Sequence, residues 1–93
     1  MFVHLAIHRP RPDKTAPLID SMHRFGAALI GQAGLQQVHT LKDQKTGNLI
    51  GLAMWDSKAA WLAARPAMAE AIQGDNFEDW EDEPPEVYHL EAV

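Results

Sequence analysis

The sequence predicts an α+β fold: a ferredoxin-like β-α-β-β-α-β chain whose antiparallel sheet carries both helices on one face. Three observations predict it. Residues 2–8, 35–41, 49–55 and 86–93 read as strands, three by alternation and one as a continuous apolar run. Two stretches with apolar residues three and four apart separate the first strand from the second and the third from the fourth. Between the second and third strands lies only a polar, Gly-containing turn, residues 42–48, which is a hairpin signal. Ninety-three residues fit one domain, 1–93.

Along the first strand, Phe2, His4, Ala6 and His8 point one way and Val3, Leu5 and Ile7 the other. Pro10 and Pro12 cannot donate to a ladder and end the strand. Asp13 or Thr15 is positioned to cap a helix over 14–31, with Pro17 in its first turn. Leu18, Met22, Phe25 and Leu29, with Ile19 and Ile30, form its apolar stripe, and Gly31 and Gly34 stop it. After the hairpin, Asp56 or Ser57 caps a second helix with a stripe of Trp61, Ala64 or Arg65, Met68 and Ile72. Pro66 is expected to kink or split that helix after Ala64. Gly74 ends it, residues 77–85 form a polar acidic loop anchored by Phe77 and Trp80, and the last strand sets Val87, His89 and Glu91 opposite Tyr88, Leu90 and Ala92.

Charge is unevenly spread. All eight Lys and Arg fall in residues 1–65 with four acids, whereas residues 66–93 hold nine acids and no base. The net charge of −5 and the scattered bases argue against nucleic acid as a partner. The acidic 75–86 segment reads as a solvated loop or, more sharply, as a stretch lying against a basic surface, such as one on a second subunit. No cysteine is present, so disulfides, Cys-based zinc sites and Cys nucleophiles are excluded. No run approaches the length of a membrane span, and the first residues lack a signal-peptide pattern, which points to a cytoplasmic protein with no membrane partner.

The start MFVHLAI, the strand end Met54-Trp55-Asp56-Ser57 and the helix carrying Ala60-Trp61-Leu62 and Pro66-Ala67-Met68-Ala69-Glu70-Ala71 resemble the antibiotic biosynthesis monooxygenase (ABM) domain family. The resemblance implies a dimeric α+β barrel. In it two sheets pack face to face as a homodimer, and each subunit keeps a pocket between its own sheet and helices. A second copy also suits a sheet whose far face 93 residues leave uncovered. Known members include oxygenases that act on aromatic polyketides or quinols with no cofactor, and haem-degrading enzymes. The haem-degrading branch places an Asn, a Trp and a His where this chain has Ala6, Trp61 and Ile72. Only the Trp is kept, so haem degradation by that route is disfavoured.

His4 and His8 share the strand face that the resemblance turns toward the pocket, and they are the candidates for proton transfer, with Trp61 as a catalytic wall. Trp55, Phe25, Met68 and Tyr88 are the candidate contacts for a small aromatic molecule. His39 and His89 lie on neighbouring strands, but spacing alone does not make the four His converge, and no metal site is assigned; His23 is expected on the surface. Arg65 is a candidate anion contact, with a solvated helix face as its simpler role. Three functions follow: a monooxygenase oxidising a quinol-type aromatic with O₂, a non-catalytic dimer that binds a small apolar ligand, and a structural dimerisation domain. A pocket filled by Phe25, Met54, Trp61 and Met68 would weaken the first two.

Overall fold

The alternation in residues 2–8 becomes β1 (Phe2–His8), an inner strand of a four-stranded antiparallel sheet. The computed structural model describes residues 1–93, and its other elements are α1 (Thr15–Leu29), β2 (Leu35–Lys42), β3 (Leu49–Trp55), α2 (Lys58–Ala71), α3 (Phe77–Trp80) and β4 (Glu86–Glu91). The strand order is β2-β3-β1-β4, the order of the ferredoxin-like topology.

Register fixes two unlike faces. Phe2, His4, Ala6 and His8 pair with Trp55, Ala53, Gly51 and Leu49 of β3. This is the face that α1 and α2 cover, and Phe2, Ala6, Leu49, Ala53 and Trp55 are buried there. On the other face Val3, Leu5 and Ile7 pair with Met54, Leu52 and Ile50, and Leu41, Tyr88 and Leu90 are exposed. Nothing in the chain covers that second face.

The core divides into two clusters. One joins Phe2, Leu29, Ala53, Trp55, Trp61, Ala64 and Met68; the other is Leu18, Met22 and Leu49, with Phe77 and Trp80 packed against it. Between them the sheet offers only small side chains, since Ala6 lies directly across from Gly51 and Ala53 follows two residues on. Small residues under two spread helices leave a space that large residues elsewhere do not fill.

Local details refine the expectations. Neither Asp13 nor Thr15 caps α1: Lys14 stands at the N-cap with no side-chain bond. The helix ends at Leu29, so Ile30 turns extended and is exposed rather than joining the stripe. Ser57 does cap α2, accepting from the Ala60 N–H at 3.1 Å. Pro66 does not split α2. The carbonyl it leaves unbonded belongs to Leu62, and both residues sit on the exposed side, where water can serve it. The 77–85 segment is not a plain loop, because Phe77–Trp80 forms the short α3 with Asn76 accepting from the Asp79 N–H. Gly34 is required where it stands: its φ is +87°, and a Cβ there would lie 2.6 Å from the Ala60 Cβ. It lets the start of β2 pass against the start of α2.

Candidate functional site

The unfilled space is a cleft of about 470 Å³ between the sheet and the helices. Ala6, Gly51 and Ala53 form its floor. Met22 and Phe25 of α1 form one wall, and Trp61 and Met68 of α2 with its C-cap Ile72, spaced for one helix face, form the other. Phe77 and Pro85 close one end. A volume of this size holds a ring system of drug-like dimensions. Phe25, Trp61 and Met68 line the cleft without filling it, and Met54 lies on the opposite face of the sheet. The filled pocket that would have weakened both ligand readings is therefore not the one observed.

Two histidine pairs stand on the β1 side. His8 Nδ1 lies 3.0 Å from Glu81 Oε1. Glu81 is 3% exposed, its Oε1 also accepts from the Arg9 N–H at 3.2 Å, and its Oε2 is buried without a partner. A carboxylate only accepts hydrogen bonds, so Nδ1 carries a hydrogen, and in the neutral ring the acceptor nitrogen is Nε2. Four residues earlier, His4 Nδ1 lies 3.2 Å from Nε2 of His89, its register partner on β4. The His4 ring stacks on Trp61 at 5.8 Å between centroids, and His89 packs on the same indole at 4.5 Å. Burial lowers the His4 pKa to about 4, with the neighbouring His89 and His8 adding to the shift. His4 is thus a neutral imidazole at pH 7.

Trp55, by contrast, is fully buried in the core cluster beside the cleft and does not line it, so it is core and not a ligand wall. Tyr88 is also misplaced as a ligand contact. Alternation puts it on the uncovered face, where its hydroxyl donates to Glu86 at 2.7 Å, a bond that raises the phenol pKa. His39 is on that face as well, bonded to Gln37 at 2.9 Å, so the four histidines do not converge. His23 is on the surface. No three His, Asp or Glu side chains group in a way that could hold a metal ion.

Glu81 is the residue the sequence reading missed. Its signal was present: Phe77, Trp80 and Glu81 stand at i, i+3 and i+4, one face of a helical turn, and the two aromatics had already marked that face as inward. The acidic segment also has its basic surface within the same chain. Arg9 pairs with Glu86, Arg11 with Asp82 at 2.9 Å, Lys14 with Asp79 at 3.5 Å and Arg24 with Asp75 at 3.0 Å. The Arg11 N–H donates to the Trp80 carbonyl at 2.8 Å. These contacts strap residues 75–86 across the end of the cleft and carry Glu81 inward to His8. No helix is long and apolar enough to cross a membrane.

No family model and no curated protein matches the sequence. Solved structures do match it in shape. Rv0793 from Mycobacterium tuberculosis superposes with a TM-score of 0.85 at 17% identity, covering 99% of this chain and 94% of its own. A structure described as an antibiotic biosynthesis monooxygenase gives a TM-score of 0.80 at 14% identity over 100% and 99% of the two chains. A conserved protein from Methanosarcina mazei gives 0.82 at 11% identity over 96% and 89%. The chain therefore has the fold of the ABM-like structures, as the residues 54–72 pattern had suggested. Identities this low establish the fold and leave the chemistry to the site.

Proposed function

We propose that the protein is a cofactor-independent monooxygenase that oxidises a small quinol-type aromatic with O₂. The observation that carries this reading is the His8–Glu81 pair at an apolar cleft walled by aromatic rings. A planar ring stacks along Trp61, and the walls exclude water from its reactive carbon. A phenolic O–H delivered to His8 Nε2 loses its proton, and the buried Glu81 carboxylate stabilises the imidazolium that forms. The electron-rich phenolate adds O₂ at a ring C–H carbon, and His8 returns the proton to the peroxide. Loss of water then leaves a carbonyl on the ring. The balance is hydroquinol plus O₂ giving hydroxyquinone plus H₂O: one oxygen atom enters the product, the other leaves as water, and the substrate supplies all the electrons. The protein contributes orientation, desolvation and one proton relay.

Oxygen uptake with a panel of hydroquinones and anthrones tests this directly. Wild type is expected to exceed the buffer rate, with His8→Ala and Trp61→Ala both impaired. A buffer rate from wild type, or variants equal to it, refutes the reading.

A non-catalytic binder of a small apolar molecule is the second reading, favoured by Ala6 and Ile72 in the lining, which add no polar group to that part of the cleft. Native mass spectrometry of protein from its own host separates the two, because a consistently empty cleft removes this one. In both readings the protein is a homodimer. The apolar face bearing Leu5, Ile7, Ile50, Leu52 and Leu90 is the contact surface, and a second copy is the occupant that the barrel arrangement supplies. Sedimentation at micromolar concentration is expected to give a dimer; a monomer contradicts the assignment.

A further inference from the structure

The cleft lining is electrostatically unlike the chain. The protein has thirteen Asp and Glu against eight Lys and Arg, yet no Asp or Glu side chain lines the cleft, and one guanidinium, Arg65, does. The other three arginines are each held by a carboxylate: Arg9 by Glu86, Arg11 by Asp82, and Arg24 by Asp20 and Asp75. Arg65 takes part in no salt bridge or side-chain hydrogen bond; its one specific contact is the Trp61 ring, with the guanidinium carbon 5.6 Å from the centroid. It stands at i+4 from Trp61 and i−3 from Met68, within the stripe of α2 that otherwise presents apolar groups to the cleft. Stacking on the indole restricts the guanidinium plane and leaves its N–H donors unpaired with any protein group, open to a ligand that displaces water.

We propose that Arg65 is an anion-recognition residue and that the ligand is an aromatic acid, its rings in the cleft and its carboxylate or similarly planar anionic group on Arg65. The assignment names the substrate class of the cleft described above and rests on that reading of it as a ligand site. A planar anion takes two parallel N–H bonds from a guanidinium, which a neutral ring substituent cannot match. Ring and charge are recognised side by side, because Trp61 serves both as the stacking surface and as the platform for Arg65. The absence of any carboxylate from the lining removes the repulsion that an anionic ligand would otherwise meet in this acidic protein.

Calorimetric titration of the full chain with naphthalene-2-carboxylate and naphthalene-2-carboxamide tests the assignment, since neither probe is a substrate for the proposed oxidation. Wild type is expected to bind the carboxylate about fivefold more tightly than the amide at low ionic strength, a modest ratio because Arg65 is partly solvated, and the ratio is expected to shrink with added salt. Arg65→Gln should bring carboxylate affinity down to that of the amide, and Arg65→Lys should keep part of the preference. Equal binding of both probes by wild type, binding of neither, or a preference that survives Arg65→Gln overturns it. The two proposals fail separately. Carboxylate preference without oxygen uptake from any phenol removes the oxygenase and keeps the anion site. Oxygen uptake from neutral hydroquinones without carboxylate preference does the reverse.

Discussion

His4 and His8 lie on the same face of the same strand, four residues apart, and begin with the same chemistry. The fold makes them different. His4 is packed beside an indole and a second imidazole, His89, and burial first, then the neighbouring imidazoles, disfavour its charged form, so its pKa falls to about 4. His8 meets Glu81, a buried carboxylate that fixes its tautomer by accepting from Nδ1. One end of the cleft is built to keep a ring neutral and the other to let a ring take a proton. The strand supplies two identical side chains; the segments folded over them, β4 at one end and the 75–86 strap at the other, assign the roles.

The largest effect should come from exchanging a role at the Glu81 end. In the proposed reaction His8→Gln is expected to lower turnover about a hundredfold or more, the scale of a lost general base, whereas His4→Gln should cost less than about tenfold. Steady-state oxygen uptake checks both, and a larger loss at His4 would invert the assignment. Next in size is Glu81→Gln, which keeps shape and an acceptor for His8 Nδ1–H but removes the charge. Here kcat should fall roughly tenfold with KM little changed. A rise in KM with kcat unchanged would mark Glu81 as packing only.

These roles were only partly legible in the sequence, for reasons of range. Alternation is local, so the shared face of His4 and His8, and the strand order that follows from two helices and a hairpin, could be read without coordinates. Trp61, Met68 and Phe25 were legible for the same reason, since helical spacing carries them to one side. Tyr88 was misplaced because only register says which face a strand residue takes, and Trp55, on the covered face, because spacing does not show that Phe2, Leu29 and Trp61 seal it into the core. Glu81 lies in a run of acids in which any single carboxylate reads as solvated, and only its spacing from Phe77 and Trp80 marks it as inward. What spacing does not encode is the strap formed by Arg9, Arg11 and Lys14, a pairing across about seventy residues that brings Glu81 to His8. The charge asymmetry between the two parts of the chain was visible; that its complement lay in the same chain was not.

The smallest effect sharpens the His4 side of the comparison and concerns stability rather than rate. A folded-state pKa of about 4 against an unfolded value near 6.5 means that, between these two, the unfolded chain binds a proton at His4 that the folded chain does not. Stability contributed by neutral His4 is therefore fully present above about pH 6.5, lost progressively as pH falls toward 4, and constant below that. The depressed carboxylates act in a lower window. Glu86, held by Tyr88 and then Arg9, Asp43, held by the Lys45 N–H and the Thr46 hydroxyl, and Asp75, where bonds from Arg24 and Ser21 outweigh its burial, lose their contribution only as pH falls through the unfolded carboxylate values, 4.5 for Glu86 and 3.8 for the two aspartates. The interval from pH 6.5 to pH 5 lies above all three. The urea midpoint of wild type should drop between pH 6.5 and pH 5, and His4→Asn should show a visibly flatter dependence over that interval while matching wild type in its further loss below pH 4. Parallel curves for the two proteins from pH 6.5 to pH 5 would mean that burial and His89 do not hold His4 neutral, and the contrast between the two ends of β1 would then rest on the Glu81 pair alone.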